Sequence, residues 1–338
     1  MYAKSLLTKA RTVEIEQAVM PDKIAADHIR LRLATASICG TDMHYFRHFA
    51  NAGFSLENPV TLGHEACGWV EDANGHDFEA GQLVAINPVI ECGVCEMCLS
   101  GDTNMCPTKR FPGSATTKPH IDGFFRECFD FPARCCRSVG AGVAPDHLTF
   151  AEPLACAMHA VNRAGITSGD QVLVTGCGPM GLLATVAAVA KGAEVKVTDL
   201  KSAAICAAEA VGASGGYVSG EAMPPDSAFD VAIEASGSPH GYNQALNAVR
   251  KQGTIGVLSL IQPSEVPINL HLNALKEISS VGSILFTGEF LDAVALIEGG
   301  EVDFEAITAA RLPVTELQAA CEMMADGRAV GKMLIKPA

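Results

Sequence analysis

The sequence predicts an α/β protein of two domains, a mostly β domain followed by a doubly wound parallel sheet. Three observations predict it: a length of 338 residues, a change of texture near residue 150, and a glycine-rich turn set between a strand and a helix. At roughly 100–200 residues per domain the length asks for two cores. Hydrophobic residues make up 49% and charged residues 18%, the balance of a globular chain, and no apolar run approaches the roughly 20 residues of a membrane-spanning helix.

The first domain is expected over residues 1–150. Short β-type runs such as His28–Leu33 and Gln82–Ile86 are broken there by glycine, proline and asparagine clusters. From about Leu154 apolar strands alternate with alanine-rich helical stretches: Gln171–Thr175, Leu182–Lys191, Glu194–Thr198 and Ala203–Val211. Buried-strand patterns at Phe229–Glu234 and Gly253–Leu258 flank a helix signal over Gly241–Val249. That alternation predicts βαβ units and a parallel sheet over 151–284. The last apolar run, Gly331–Lys336, reads as a strand rejoining the first domain, so 285–338 is assigned to it.

A net charge of -14 repels phosphate backbones and offers nothing to anionic membranes, which excludes nucleic acid and lipid surfaces as bulk partners. The first residues show no signal-peptide core. Thirteen cysteines in such a chain, four of them bunched, fit metal ligation in a reducing cytoplasm better than disulfides.

Gly176–Gly181 (GCGPMG) has the form G-x-G-x-x-G directly after a strand and before a helix. Gly176 allows the tight turn, Gly178 lets backbone approach a pyrophosphate, and Gly181 allows close helix–strand packing, the Rossmann arrangement for a dinucleotide. Pro179 and Met180 complete the turn. Asp199 ends the next strand, where a carboxylate accepts from ribose hydroxyls and repels a 2′-phosphate, favouring NAD over NADP; the other reading of Asp199 is a helix N-cap. Lys201 softens the preference and leaves NADP open. Leu200 and Ser236 join the expected cofactor-binding set.

Cys92, Cys95, Cys98 and Cys106 follow C-x2-C-x2-C-x7-C spacing, which lets one loop wrap a tetrahedral Zn²⁺. With all four positions filled by protein such a site is structural and folds a loop too polar for its own core. A second set of donors is scattered: Cys39, His64, Glu65 and Glu152. Singly each reads as core or surface; together, beside a nicotinamide motif, they point to a catalytic metal.

The motifs SICGTDMHY (Ser37–Tyr45), LGHE (Leu62–Glu65), the cysteine lobe, AEPLA (Ala151–Ala155) and GCGPMG occur in the order found in zinc-containing medium-chain alcohol dehydrogenases, which the chain resembles over its whole length. Within that family it is similar to the sorbitol and L-idonate dehydrogenase branch. RFPGSA (Arg110–Ala115), PHIDG (Pro119–Gly123), AINP (Ala85–Pro88) and GSILFTGEF (Gly282–Phe290) look most like L-idonate 5-dehydrogenases. One departure is Leu285, where the branch carries an arginine that helps to hold a polyhydroxylated substrate.

The resemblance implies a GroES-like β domain joined to a Rossmann domain, and a homodimer or homotetramer pairing near residues 270–290. It implies Cys39 and His64 as catalytic zinc ligands, with Glu65 and Glu152 as carboxylates that ligate directly or through water. An open coordination position takes water or substrate alkoxide and lowers the hydroxyl's pKa. Thr41 and His44 would relay the proton; otherwise Thr41 is a turn hydroxyl and His44 a solvated surface residue. Tyr45 and Phe286 would line the pocket, unless Phe286 belongs to the core. Arg47, Lys109, Arg110 and Arg126 are the candidate cations for a substrate carboxylate. The implied reaction is oxidation of L-idonate at C5 to 5-keto-D-gluconate with NAD; the alternatives are sorbitol or another polyol, or a small secondary alcohol. Two further classes share parts of the pattern, a sensor without catalysis and a zinc-ribbon nucleic-acid binder. The intact donor set speaks against the first and the negative charge against the second.

Overall fold

The structure, a computed structural model, describes residues 1–261, 265–329 and 331–338. Two compact units emerge, one of 1–152, 290–301 and 308–338, the other of 153–289 and 302–307.

The first unit opens with the hairpin β1 (Tyr2–Lys9) and β2 (Thr12–Ala18), then β3 (His28–Ser37), α1 (Gly40–His48) and the short pair β4 (Ala50–Asn51) and β5 (Phe54–Ser55). β6 (Glu65–Asp72) and β7 (Leu83–Ile86) follow, then α2 (Glu96–Leu99), β8 (Cys128–Pro132), β9 (Cys136–Ser138) and α3 (Pro145–Leu148). In β3 the residues alternate strictly at first: Ile29, Leu31 and Leu33 point into the core while Arg30 and Arg32 face outward. Phe124, Phe125, Phe129 and Phe131 pack with them in one apolar cluster.

α4 (Ala151–Arg163) leads to β10 (Gln171–Thr175), α5 (Pro179–Ala190), β11 (Glu194–Asp199), α6 (Ser202–Ala210), β12 (Gly216–Val218) and β13 (Phe229–Glu234). α7 (Pro239–Ala248), β14 (Val249–Val257), α8 (Leu270–Leu275) and β15 (Ser279–Gly282) complete a parallel sheet of order β12-β11-β10-β13-β14-β15. β10 is apolar on both faces, as a strand covered on both sides must be. α5 begins at Pro179 rather than Leu182, because proline suits the first helical turn, where its missing N–H costs nothing. It is buried nearly all round, in keeping with its unbroken apolar sequence.

α9 (Glu289–Gly299), β16 (Thr308–Pro313), α10 (Leu317–Ala325) and β17 (Lys332–Lys336) end the chain. β17 joins β3 antiparallel and β16 parallel, within the order β16-β17-β3-β6-β7-β9. The late strand does rejoin the first unit's sheet. No helix among the described residues is long and apolar enough to cross a membrane.

Candidate metal and dinucleotide sites

β3 delivers the first donor. After Ser37 the chain is caught by β17, Ile38 donating its N–H to the Met333 carbonyl at 3.0 Å, and Cys39 then caps α1. The expected short glycine-flanked segment is therefore a helix start. His64 sits just before β6 and Glu65 opens it. The donor atoms of Cys39, His64 and Glu65 lie within 4.8 Å of one another, and both His64 and Glu65 are buried.

Asp42 organises this cluster, although its sequence context looks like that of any helix-start aspartate. Fully buried on the first turn of α1, it accepts from the amides of Cys39 (2.9 Å) and Gly63 (3.1 Å), so one carboxylate ties both ligand segments together. Its Oδ1 lies 3.6 Å from His64 Nδ1, a buried nitrogen that makes no hydrogen bond. A ligating histidine commonly turns its other nitrogen toward a carboxylate. Burial pulls the His64 pKa down, but Asp42 and Cys39 beside it prevail and raise it well above 6.5. Burial raises that of Asp42, opposed in part by His64.

Glu65 is paired as well. Lys332 of β17, itself buried, donates to both of its oxygens, and the Ser37 hydroxyl donates to Oε2. Burial depresses the Lys332 pKa, but Glu65 and Cys39 outweigh it and hold the lysine charged. Glu152, in the first turn of α4, is buried too and its charge reaches both His64 and Lys332, although it stands outside the set that closes to 4.8 Å. One thiol, one carboxylate and one imidazole whose Nδ1 is turned toward a buried carboxylate match zinc's donor preference, and with three protein donors a fourth position would stay open.

Thr41 and His44 lie three residues apart on α1, both half-buried, on adjoining turns of one face. Burial lowers the His44 pKa, and Arg47 and His48 lower it further. Tyr45 does not line a pocket: it is 1% exposed, and its hydroxyl accepts from the Ala115 amide at 3.1 Å. Phe286, also 1% exposed, belongs to the core. Arg110 and Arg126 line a cavity of about 130 Å³ with Arg134, Asp27 and Asp130, which shares no residue with the metal cluster.

The four lobe cysteines also converge within 4.8 Å, with Cys95 and Cys98 sulfurs 3.5 Å apart and Cys92 and Cys98 sulfurs 3.9 Å apart, far beyond disulfide bonding. Amides of Val94 and Cys95 aimed at Cys92 lower its pKa to about 6, readying a thiolate. No residue of α2 is buried, and Val94 and Leu99 are exposed. The lobe hangs from the antiparallel bridge between Ile90 and Arg110 and from Arg134, which grips Glu91. An ion is the core it lacks.

In the second unit Gly176 takes a left-handed φ of +87°, and a Cβ on Gly181 would stand 1.8 Å from the Gly176 carbonyl oxygen. Only glycine serves at either place. Gly178 caps α5, whose free N-terminal amides suit a pyrophosphate. Asp199 Oδ2 accepts from the Cys177 amide at 2.8 Å, coupling the end of β11 to the glycine turn. α6 is capped by Lys201, so Asp199 is not its N-cap. Leu200 is exposed beside it, and Ser236 touches the space above Gly176. Strand order reverses between β10 and β13, the place where such sheets bind dinucleotides.

A parallel sheet with a dinucleotide turn and a mixed-donor metal cluster on one chain describe a metal-dependent oxidoreductase. Residues 25–141 match the alcohol dehydrogenase GroES-like domain and residues 179–299 the zinc-binding dehydrogenase family. The chain belongs to the zinc-containing alcohol dehydrogenases and is a dehydrogenase of their polyol and sugar-acid group. Over 319 residues it is 32% identical to an L-idonate 5-dehydrogenase (NAD(P)(+)) of Escherichia coli, covering 90% of each chain. A sorbitol dehydrogenase of Bacillus subtilis is 27% identical, with 94% of this chain and 92% of that one covered. The crystal structure of the Escherichia coli L-idonate 5-dehydrogenase superposes with a TM-score of 0.93 at 29% identity, covering 99% of this chain and 98% of that chain.

Proposed function

We propose that the chain oxidises the C5 hydroxyl of L-idonate to 5-keto-D-gluconate, reversibly and with NAD. The observation that carries the chemistry is the convergence of Cys39, His64 and Glu65 within 4.8 Å. Zinc held there by these three side chains supplies Lewis acidity that lowers the substrate hydroxyl's pKa. Lys332 offsets the negative charge of Glu65, while Asp42 orients His64 and makes its ring the more basic donor. Glu152, buried and with its charge felt at His64 and Lys332, is the second carboxylate that would serve the ion, directly or through water. Thr41 takes the hydroxyl proton and passes it toward His44, whose lowered pKa keeps its ring neutral and able to accept at neutral pH. Cys92, Cys95, Cys98 and Cys106 hold the structural zinc. Gly176, Gly178, Pro179, Met180 and Gly181 hold the pyrophosphate, and Asp199, Leu200, Lys201 and Ser236 the remaining cofactor contacts, with the Asp199 carboxylate favouring NAD.

The L-idonate reading is supported by the relatives above; Leu285 stands where both sorbitol and L-idonate dehydrogenases carry the arginine and does not choose between them, and a polyol such as sorbitol or a small secondary alcohol is the second reading. Thiolate ligands suit a cytoplasmic setting, and the exposed edge strand β15 suits pairing with a second copy of the chain. Two measurements test the reading. Cys39→Ser should lose one zinc per chain and its turnover while still binding NADH; unchanged turnover would eliminate the catalytic metal. In a panel of L-idonate, D-gluconate, sorbitol, xylitol, L-threonine and 2,3-butanediol with NAD and NADP, inactivity on every sugar acid would discard L-idonate.

A further inference from the structure

Glu234, the last residue of β13, is fully buried. Its Oε1 accepts from the amides of Ser236 (2.8 Å) and Gly237 (3.0 Å) and from the Ser236 hydroxyl (2.6 Å). Oε2 accepts from the hydroxyl of Ser259, two residues past β14. Its backbone carbonyl accepts from Leu258 (3.0 Å) and Ser259 (3.2 Å) as well. Among the described residues its partners are amides and hydroxyls, and no cation is paired with it. A carboxylate is seldom buried without a cation unless many donors converge on it. Here they all come from the two turns that leave the C-terminal edge of the sheet.

The first of those turns is wedged tightly. A Cβ on Gly176 would meet Ser236 Cα at 2.6 Å, and one on Gly241 would meet Ser236 Oγ at 2.1 Å. Ser238 then caps α7 by accepting from the Gly241 amide at 3.0 Å. Ser236 thus stands between the glycine turn after β10 and the start of α7, at the strand-order reversal. Because Asp199 on β11 marks the adenosine side, the ends of β13 and β14 face the nicotinamide half of a bound dinucleotide.

We propose that Glu234 is a positioning residue of the cofactor site: its carboxylate locks the turn at Ser236 and Gly237 to Ser259, so that the nicotinamide half of the dinucleotide meets a wall already formed. This rests on the reading of Gly176–Gly181 and Asp199 as the dinucleotide site. Without the carboxylate, binding energy is spent on ordering the turns. Burial alone would explain the residue as a structural one, and the test separates the two roles.

NADH is titrated by fluorescence into the zinc-loaded protein and its variants, with unfolding midpoints measured in the absence of cofactor. Glu234→Ala should weaken NADH roughly tenfold or more while kcat at saturating cofactor changes by less than about threefold. Glu234→Gln keeps one oxygen for the turn and an amide that can donate to Ser259, so it should retain affinity within about threefold. If Glu234→Ala does not fold, Glu234→Asp decides: one methylene shorter, it cannot span both turns and should weaken NADH where Glu234→Gln does not. Equal NADH affinity in the parent and every folded variant overturns the role of Glu234. Failure of the parent itself to bind NADH or NADPH overturns the dinucleotide reading, and this proposal with it.

Discussion

Lys332 shows what a single side chain does at this site. Its ammonium and the Glu65 carboxylate are both shut away from water, and removing one leaves the other charged and unpaired. Lys332→Met should therefore destabilise the protein by about 3–5 kcal/mol in urea unfolding. The double variant Lys332→Met, Glu65→Gln should recover part of that loss; a single variant as stable as the parent would show that the pair is not buried in solution. Nothing in the sequence joins these residues, which lie 267 positions apart. Asp42 was closer to view, inside the SICGTDMHY run, but a carboxylate that binds two amides looks like any helix-start aspartate until the fold brings Gly63 to it. Cys39, His64 and Glu65 were legible only in company: each alone reads as core or surface, and the glycine turn and the cysteine lobe beside them point to a metal.

Among elements, the segment holding His64 owes its path to a backbone crossing that no motif announces. A Cβ on Gly123 would stand 2.2 Å from the Gly63 carbonyl oxygen and 2.5 Å from that of Leu62. The Gly123 amide meanwhile donates to Thr61, and those of Phe124 and Phe125 to Gly63 and Leu62. Gly123→Ala must push Leu62–His64 aside, at a cost of about 1–3 kcal/mol. It should lose the catalytic zinc in metal analysis and keep the structural one; retention of both ions would mean that the crossing adjusts freely. The alternating strands and alanine-rich helices of the parallel sheet were readable because local period alone sets them, whereas the hairpin of β1 and β2 carries a mixed pattern that reads as nothing in particular.

At the scale of the molecule, Asp146 gathers distant parts of the first unit. It accepts from Thr35 on β3 at 2.8 Å, from Arg311 on β16 at 2.6 Å and from Lys336 on β17 at 2.5 Å. Burial raises its pKa, but these donors outweigh it and bring the value down to about 2 from 3.8. A carboxylate depressed on folding adds stability that is complete above the unfolded value and lost as pH falls through the folded one. Acid unfolding should show this loss between about pH 4 and pH 2, worth about 1–2 kcal/mol once partial exposure is discounted. Asp146→Asn should be less stable at pH 7 and flatter over that window; a parallel pH profile would assign the acid sensitivity to other groups. The sequence shows a late strand returning to the first unit, but not which charges await it.

That return has a temporal side. Lys332 leaves the ribosome 267 residues after Glu65, which at roughly 5–20 residues per second is a delay on the order of tens of seconds. Through that interval Glu65 has no ammonium to balance it and Ile38 has no Met333 carbonyl to hold the chain that leads to Cys39. The cluster is therefore held and balanced as the folded chain shows it only once the last strand has been made and has paired with the third.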